Sequence, residues 1–354
     1  MGFYYENLVR PVLFRTDPEK AHDMGVTALN GLGRIRPLCR IMEAINLVQS
    51  DEPIELFGLR FPNAVGLAAG MDKNGHFYRA APALGFGHIE IGTITHLQQP
   101  GNERPRVFRY PESRAIINRM GFNNDGAEAV AARLKTTLSK RKSRIPLGIN
   151  IGKSKIVPVD QAVPDYLASF GLLVDYADYI TINVSSPNTK DLRELQKEAY
   201  LDTLLGELAR TNSGRARKLG IAPTPMLLKI APDLNYREID HVLECLDRWN
   251  YAGIIATNTT IGRPGEFANV REPGGLSGAP VHNRSVEVVK YISRVTGGKL
   301  PIIGVGGVDD PKTAGDMMDN GASLVQLYTG MVYRGPFVAK TIAKALAPRQ
   351  SSWM

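Results

Sequence analysis

Residues 179–196 read YITINVSSPNTKDLRELQ, and the first part of this stretch is typical of a buried strand in a parallel sheet. The β-branched and aromatic residues of YITINVS, residues 179–185, continue without the alternation of a half-exposed strand. The run stops at two serines, Pro187 and Asn188, and a helical pattern follows. We therefore interpret this stretch as a strand–loop–helix unit whose loop carries hydroxyl and carboxamide groups.

Seven further runs of the same kind occur along the chain, and each is followed by a helical pattern, for example at residues 126–140, 236–249 and 284–295. Eight strand–helix units predict a closed (β/α)8 TIM barrel, with a doubly wound open sheet as the alternative. That alternative lacks its dinucleotide fingerprint, because GVGGVDD at 304–310 does not have the G-x-G-x-x-G spacing. The predicted strands are residues 63–69, 88–95, 147–152, 179–185, 226–231, 253–259, 301–307 and 324–330.

Two parts of the chain do not fit the barrel repeat. Residues 1–50 are predicted to form an N-terminal helical segment in front of a barrel domain over residues 51–354. Within this segment the string TDPE predicts a capping box, in which Thr16 caps a helix and Glu19 reaches back to it. Residues 96–125 form a long excursion after the second strand, and RVFRY and AIINR within it predict a small hairpin.

The composition is that of a globular protein with a large core, since 43% of the 354 residues are hydrophobic and 22% are charged. The net charge of +8 comes mainly from residues 133–144 and 215–218, and no aromatic residues interleave with them, so we do not predict nucleic-acid binding. Cys39 and Cys245 lie far apart, which favours a reducing compartment over a disulfide. The six histidines form no clustered ligand set, so no metal site is predicted.

The sequence predicts neither a membrane span nor a processed leader. No run of 18 apolar residues is present, as a transmembrane helix would require. The start lacks the basic region and cleavage site of a signal peptide, and Glu6 occupies the position where myristoylation requires Ser or Thr.

Polar residues or glycines stand at all eight predicted strand ends, where a barrel of this type carries its active site. Glycines at the last two ends predict a phosphate cradle. Lys229 ends an otherwise apolar strand, so its ammonium is predicted either beside a flavin ring or in a structural salt bridge. Carboxamides offer paired donors and acceptors to a planar imide or amide ring, so the residues predict a flavin-phosphate barrel with a heterocyclic substrate. The strand-end residues are Lys73, Thr93, Asn150, Asn183, Ser185, Ser186, Lys229, Thr257, Asn258, Thr259, Gly306, Gly307, Tyr328, Thr329 and Gly330.

Several longer strings resemble the quinone-dependent, membrane-associated class of dihydroorotate dehydrogenase (class 2, bacterial type), and together they span nearly the whole chain. Departures are small: Met71 stands where leucine or phenylalanine is more usual, at an apolar position. The strings include GLAAGMDKNG (66–75), PGNERPRVFR (100–109), INRMGFNNDG (117–126), NVSSPNTKDLRELQ (183–196) and GASLVQLYTG (321–330).

The resemblance implies oxidation of dihydroorotate to orotate in pyrimidine (UMP) biosynthesis, with FMN as hydride acceptor and a membrane quinone as final electron acceptor. It implies that Ser186 is the catalytic base and that Ser185 is a structural neighbour, whereas class 1 enzymes use a cysteine. The implied FMN-binding residues are Ala69, Gly70, Met71, Asp72, Lys73, Thr93, Asn150, Asn183, Lys229, Thr257, Gly278, Gly307, Tyr328 and Thr329. The implied substrate-binding residues are Lys73, Asn118, Arg119, Met120, Gly121, Phe122, Asn183, Asn188, Asn258 and Thr259.

The same resemblance implies a role for the N-terminal helices. It makes them an amphipathic pair in the bilayer interface that forms a quinone tunnel, with His22, Arg109 and Tyr328 near the quinone. The protein is then a monomer bound peripherally to the cytoplasmic face of the cell membrane, and the choice between ubiquinone and menaquinone stays open. Alternatively, the helical pair closes the bottom of the barrel. A class 1 or dihydropyrimidine dehydrogenase and a non-catalytic, membrane-docking barrel are the rival functions.

Overall fold

The computed structural model describes residues 2–50, 53–139, 144–189 and 191–352. Part of the predicted basic run, residues 140–143, lies outside these ranges, as does Lys190. The strands are β1 (Ile54–Leu56), β2 (Leu59–Phe61), β3 (Val65–Leu67), β4 (His88–Ile94), β5 (Val107–Tyr110), β6 (Ala115–Asn118), β7 (Leu147–Ile151), β8 (Tyr179–Asn183), β9 (Met226–Ile230), β10 (Gly253–Ala256), β11 (Gly275–Gly278), β12 (Ile302–Val305) and β13 (Leu324–Leu327). Eight of them are parallel and close into a barrel in the order β10-β12-β13-β3-β4-β7-β8-β9, which confirms the predicted (β/α)8 fold.

Helices precede the barrel and then alternate with its strands. The N-terminal segment includes α1 (Gly2–Tyr4), α2 (Arg10–Leu13), α3 (Pro18–Arg34) and α4 (Arg36–Asn46), with a π-helical turn between α1 and α2. No helix in the described ranges is long and apolar enough to cross a membrane. The remaining helices are α5 (Ala127–Leu138), α6 (Ala162–Leu173), α7 (Glu198–Leu219), α8 (Tyr236–Arg248), α9 (His282–Thr296), α10 (Pro311–Asp319), α11 (Thr329–Arg334) and α12 (Val338–Leu346).

The first barrel unit departs from the predicted repeat. Strand β3 is followed by two 3₁₀ turns, Tyr78–Ala80 and Pro82–Leu84, where the sequence predicted a helix. Helix α3 contacts the first turn and α4 contacts the second. The N-terminal pair therefore covers the side of the barrel at the point where the outer helix of this unit would lie.

The cap of α3 also differs from the prediction. The Asp17 carboxylate, not the Thr16 hydroxyl, accepts the backbone N–H groups of Glu19 and Lys20, both at 3.0 Å. The Thr16 hydroxyl instead donates to the carbonyl of Leu13 at 2.7 Å. An ionised acceptor is favoured at a helix N-terminus, and the Glu19 side chain is then free to bind elsewhere.

A hairpin closes the bottom of the barrel. Strands β1 and β2 pair in antiparallel fashion, and the buried Phe61 ring lies edge-on to His88, the first residue of β4, with centroids 5.4 Å apart. Phe57, in the turn of the hairpin, lies 6.5 Å from the ring of Tyr179 at the start of β8. Residues 54–61 thus lie at the end of the barrel where the sequence analysis offered the N-terminal helical pair as the alternative closure.

The excursion after β4 contains the predicted hairpin, and a strand that we did not predict joins it from elsewhere in the chain. Strands β5 and β6 pair in antiparallel fashion, and β11 adds to the other edge of β6, with Gly275 opposite Asn118. Strand β11 has the sequence GLSG. Two of its four residues are glycines, which are rare in strands, so the sequence pattern did not predict it. The pairing brings Ser277 and Gly278 to the rim of the barrel mouth.

Candidate active site

The carboxyl ends of the barrel strands open into a cavity of about 1070 Å³, the open space at its mouth included. Within the described ranges, no group of three or more His, Cys, Asp or Glu side chains could hold a metal ion. The predicted site residues that line the cavity are Ala69, Gly70, Lys73, Thr93, Asn118, Met120, Gly121, Phe122, Asn183, Ser186, Asn188, Lys229, Thr257, Asn258, Thr259, Gly278, Gly307, Tyr328 and Thr329.

A buried network of amides and hydroxyls forms one wall of the cavity. The Thr93 hydroxyl donates to the Asn150 amide oxygen at 2.6 Å, and the Asn183 amide donates to the Thr93 hydroxyl at 2.9 Å. Asn150 does not itself line the cavity, and its amide nitrogen donates to Glu90 Oε1 at 2.8 Å. Asn150 thus fixes the orientation of two lining residues from behind.

Glu90 is an organising residue that the sequence interpretation missed. It is fully buried on β4, accepts the Thr181 hydroxyl at 2.9 Å, and lies 4.0 Å from the Lys229 ammonium. Burial lowers the pKa of Lys229, and the Glu90 charge opposes that shift. The predicted salt bridge of Lys229 is thus only a loose contact with Glu90, and the two side chains share no hydrogen bond. The acidic residue inside the apolar run HIEIGTIT was the available signal.

The two serines after β8 have different surroundings. The fully buried Ser185 hydroxyl donates to the Asn183 amide oxygen at 3.0 Å and accepts from the Asn258 amide at 2.9 Å. Ser186 lines the cavity, and its oxygen accepts the backbone N–H of Asn188 at 3.2 Å. The Ser186 hydroxyl proton has no acceptor among the described residues, so it is available to a molecule in the cavity.

The excursion delivers the other wall of the cavity. The Asn188 amide donates to the backbone carbonyl of Asn118 at 2.9 Å and to its side-chain oxygen at 3.1 Å, which joins the end of β6 to the serine loop. Arg119, predicted at the substrate, lies outside the cavity lining. Its guanidinium pairs with Glu272 and donates to the carbonyl of Pro105 at 2.8 Å.

Two residues of the loop after β3 also lie outside the cavity lining. Met71 is nearly buried in the core. The Asp72 carboxylate is fully enclosed and accepts the backbone N–H groups of His76 and Phe77 at 2.7 and 2.8 Å. Asp72 therefore shapes the loop that presents Lys73.

Burial lowers the pKa of Lys73 to about 8, and the charges of Glu19 and Asp23 oppose that shift.

Glycines at the end of β12 bring the backbone close to the cavity. Gly306 and Gly307 have φ angles of 125° and 71°, which favour glycine. A Cβ at Gly306 would lie 2.1 Å from the Ser285 hydroxyl, and one at Gly307 would lie 2.6 Å from the Cβ of His282. Side chains cannot be added here, and the backbone N–H of Gly307 has no acceptor among the described residues.

The three predicted quinone residues lie in different places. Tyr328 lines the main cavity, and burial raises its pKa to about 12. His22 lines a second cavity of about 880 Å³ between α3 and the loop after β3, and burial followed by the Lys73 charge lowers its pKa to about 3. Arg109 lines neither cavity, and its guanidinium donates to the carbonyls of Leu13 and Phe14 at 3.3 Å. Arg109 thus anchors the chain before α3.

Comparisons with known proteins all point to one family of enzymes. A family model described as Dihydroorotate dehydrogenase matches residues 53–349. The chain is 51% identical over 349 residues to "Dihydroorotate dehydrogenase (quinone)" of Salinispora arenicola, covering 96% of this chain and 98% of the relative. A relative of the same name from Chloroflexus aurantiacus is 48% identical, covering 98% and 96%. The crystal structure of DHODH from Eimeria tenella in complex with ferulenol superposes with a TM-score of 0.81 at 35% identity, covering 96% and 95%.

Proposed function

The chain belongs to the dihydroorotate dehydrogenase family, and on this premise we propose that it oxidises dihydroorotate to orotate in pyrimidine biosynthesis with a quinone as electron acceptor. The family is flavin-dependent, and the flavin we propose is FMN. The observation that carries the proposal is the Ser186 hydroxyl, which lines the same cavity as the Lys229 ammonium and six carboxamide side chains. A base, a cation and a set of amide donors and acceptors on one cavity suit removal of a proton and a hydride from an imide ring.

The cavity fits a flavin phosphate in two respects. At its far end the backbone approaches closely at Gly306 and Gly307, where added side chains would clash, so main-chain N–H groups can hold a phosphate. Inside it, Lys229 carries a buried ammonium without a hydrogen-bond partner among the described residues, suited to the electron-rich edge of a flavin ring. Gly70, Thr257 and Tyr328 also line the cavity and would contact the flavin ring.

The chain itself positions the substrate and removes one proton. Asn118, Asn188 and Asn258 hold the ring by their amides, and Lys73 pairs with the substrate carboxylate. Ser186 Oγ accepts the ring proton in general-base catalysis while its own hydroxyl proton passes to a water molecule, and the Asn188 N–H fixes the position of that oxygen. A bound FMN would supply the acceptor for the hydride that leaves the neighbouring ring carbon. The excursion contributes residues 118 and 120–123 to the cavity lining.

The N-terminal segment supplies the proposed membrane and quinone side. Exposed apolar side chains on it include Phe3, Leu8, Val12, Ile41 and Ile45, each at least 58% exposed. A surface of this kind suits peripheral binding at the bilayer interface, and we place it on the cytoplasmic face of the cell membrane. The proposed quinone path runs from this segment past His22 and the Arg109-anchored turn to Tyr328.

The visible spectrum tests the proposed function. The purified protein should be yellow, and dihydroorotate should bleach the flavin absorbance in the absence of oxygen because the bound flavin takes up the hydride. A quinone should then restore the colour, whereas fumarate and NAD should not, which separates this function from the class 1 alternative. A colourless protein that still binds vesicles would instead support a non-catalytic, membrane-docking barrel.

Replacement of Lys229 by methionine tests the proposed flavin contact. Methionine keeps the length and removes the charge, and Glu90 remains satisfied by Asn150 and Thr181. We expect the reduction potential of the bound flavin to fall by ~30 mV or more, about a tenfold change in the equilibrium constant of a two-electron couple. Thr181→Val, which removes only a Glu90 contact, is the matched control and should leave the potential nearly unchanged. An unchanged potential in Lys229→Met would exclude this role.

A further inference from the structure

Helix α3 reaches the substrate side of the molecule through one buried carboxylate. Glu19, in the first turn of the helix, is 7% exposed, and Arg106, in the excursion, is 4% exposed. Arg106 Nε lies 3.1 and 3.0 Å from the two Glu19 oxygens, and its Nη2 lies 3.0 Å from Oε1. Arg104, on the surface, adds a further contact to Glu19 Oε2 at 3.1 Å. The pair is therefore close, bidentate and almost dry.

The remaining Arg106 nitrogen holds a tight turn. Arg106 Nη1 donates to the carbonyls of Pro100 and Asn102, each at 2.7 Å. Gly101 lies inside this turn, and a Cβ there would approach Arg106 Nη1 to 2.5 Å and the carbonyl of Met120 to 2.3 Å. The guanidinium is thus shared between α3 and the turn, so its position depends on both.

The side chain of Asn102 transmits this position to the proposed substrate residues. Its amide nitrogen donates to the carbonyl of Asn188 at 3.1 Å and to that of Arg119 at 2.9 Å. Its amide oxygen accepts from the Lys155 ammonium at 2.8 Å. Asn188 in turn holds Asn118 and Ser186 Oγ. Three side chains, Glu19, Arg106 and Asn102, therefore connect α3 to the loop of the proposed base.

We propose that Glu19 is a positioning residue for the dihydroorotate site, although it lies in the segment that the proposed function assigns to the quinone. By holding Arg106, it keeps the 100–102 turn in the place from which Asn102 orders the backbone of Asn188 and Arg119. This inference rests on the proposed function. It predicts that a change in α3 weakens binding on the substrate side of the molecule.

The test is the affinity of the FMN-loaded protein for orotate, measured by calorimetry. Glu19→Gln keeps the shape but removes the charge that pairs with a buried guanidinium, so the orotate Kd should rise by about tenfold or more. Asn102→Ala, which leaves the ion pair intact, should give a similar loss. Combining the two changes should weaken binding no more than the stronger single change, because both act through one connection.

Glu43→Gln is the matched control. Glu43 is a carboxylate of α4, 5% exposed, whose Oε1 pairs with Arg144 at 2.9 Å, so this variant also removes the charge of a buried carboxylate that pairs with an arginine. Its orotate Kd should stay within about twofold of the wild-type value, since a loss of stability alone does not reach the site. An unchanged Kd in Glu19→Gln, an equal loss in Glu43→Gln, or multiplied losses in the double variant would overturn the inference. Failure of the wild-type protein to bind orotate would instead contradict the proposed function.

Discussion

Replacing Ser186 by alanine is expected to slow the reduction of the bound flavin by dihydroorotate by roughly two to four orders of magnitude, the usual contribution of a general base. The reason is local: Ser186 Oγ lines the cavity as the proposed acceptor of the ring proton, and alanine offers no group in its place. The FMN content and the affinity for orotate should stay close to those of the wild-type protein, because the Asn118–Asn188 contact does not involve the hydroxyl. Anaerobic stopped-flow absorbance gives the rate, and calorimetry gives the affinity.

Ser185→Ala is the control for this prediction. It frees the amides of Asn183 and Asn258, so it should raise the dihydroorotate concentration needed for half-maximal rate. The rate at saturation should fall by less than about tenfold, since one neutral hydrogen bond contributes only modestly. A Ser186→Cys variant should regain part of the rate as pH rises and the thiolate forms. Equal losses at both serines would show that the base is assigned wrongly.

The sequence predicts the barrel well because its strands are buried on both faces. Runs such as YITIN have few alternatives to a central parallel strand, and all eight predicted runs contain one. The predicted ends extend one to three residues too far, because the polar residues after each strand continue the extended pattern into the loop. The prediction of a helix after β3 was wrong, because helices α3 and α4 of the N-terminal segment pack at the place where that helix would lie. Packing of this kind is non-local and leaves no periodic pattern in the strand that it covers.

The site was predictable to the extent that it lies on strand ends. Lys73, Ser186 and Lys229 are placed by the barrel itself, so a count of strands was enough to bring them together. Glu90 and Asn102 were not found, because each acts through the partners that it orders and neither stands at a strand end. Strand β11 was missed for a similar reason, since its pairing with β6 joins segments more than 150 residues apart.

The pattern of burial in the N-terminal segment separates the buried Glu19 contact from the proposed membrane surface. Glu19 on α3 is buried against Arg106 of the excursion, whereas Ile41 and Ile45 on α4 are 58% exposed. Six basic and five acidic residues within 1–50 leave little net charge to attract anionic lipid, so apolar burial would have to supply the proposed membrane affinity. Deleting the segment would remove both proposed functions together, and point substitutions of the exposed apolar residues are the sharper test.

Replacing Leu8 and Ile41 by glutamate is expected to abolish membrane binding and leave the substrate half-reaction intact. The two side chains are 63% and 58% exposed, and burying one such side chain contributes ~1.5–3 kcal/mol. Losing both should lower partitioning into zwitterionic vesicles by about a hundredfold or more, and turnover of a quinone dissolved in those vesicles should fall with it. Reduction of a water-soluble dye by dihydroorotate should be unchanged.

The matched control is the double variant Leu219→Glu/Ile221→Glu at the far end of α7, where the two side chains are 58% and 50% exposed. This variant should still bind vesicles. Vesicle binding that persists in the Leu8/Ile41 variant would place the membrane surface elsewhere on the protein.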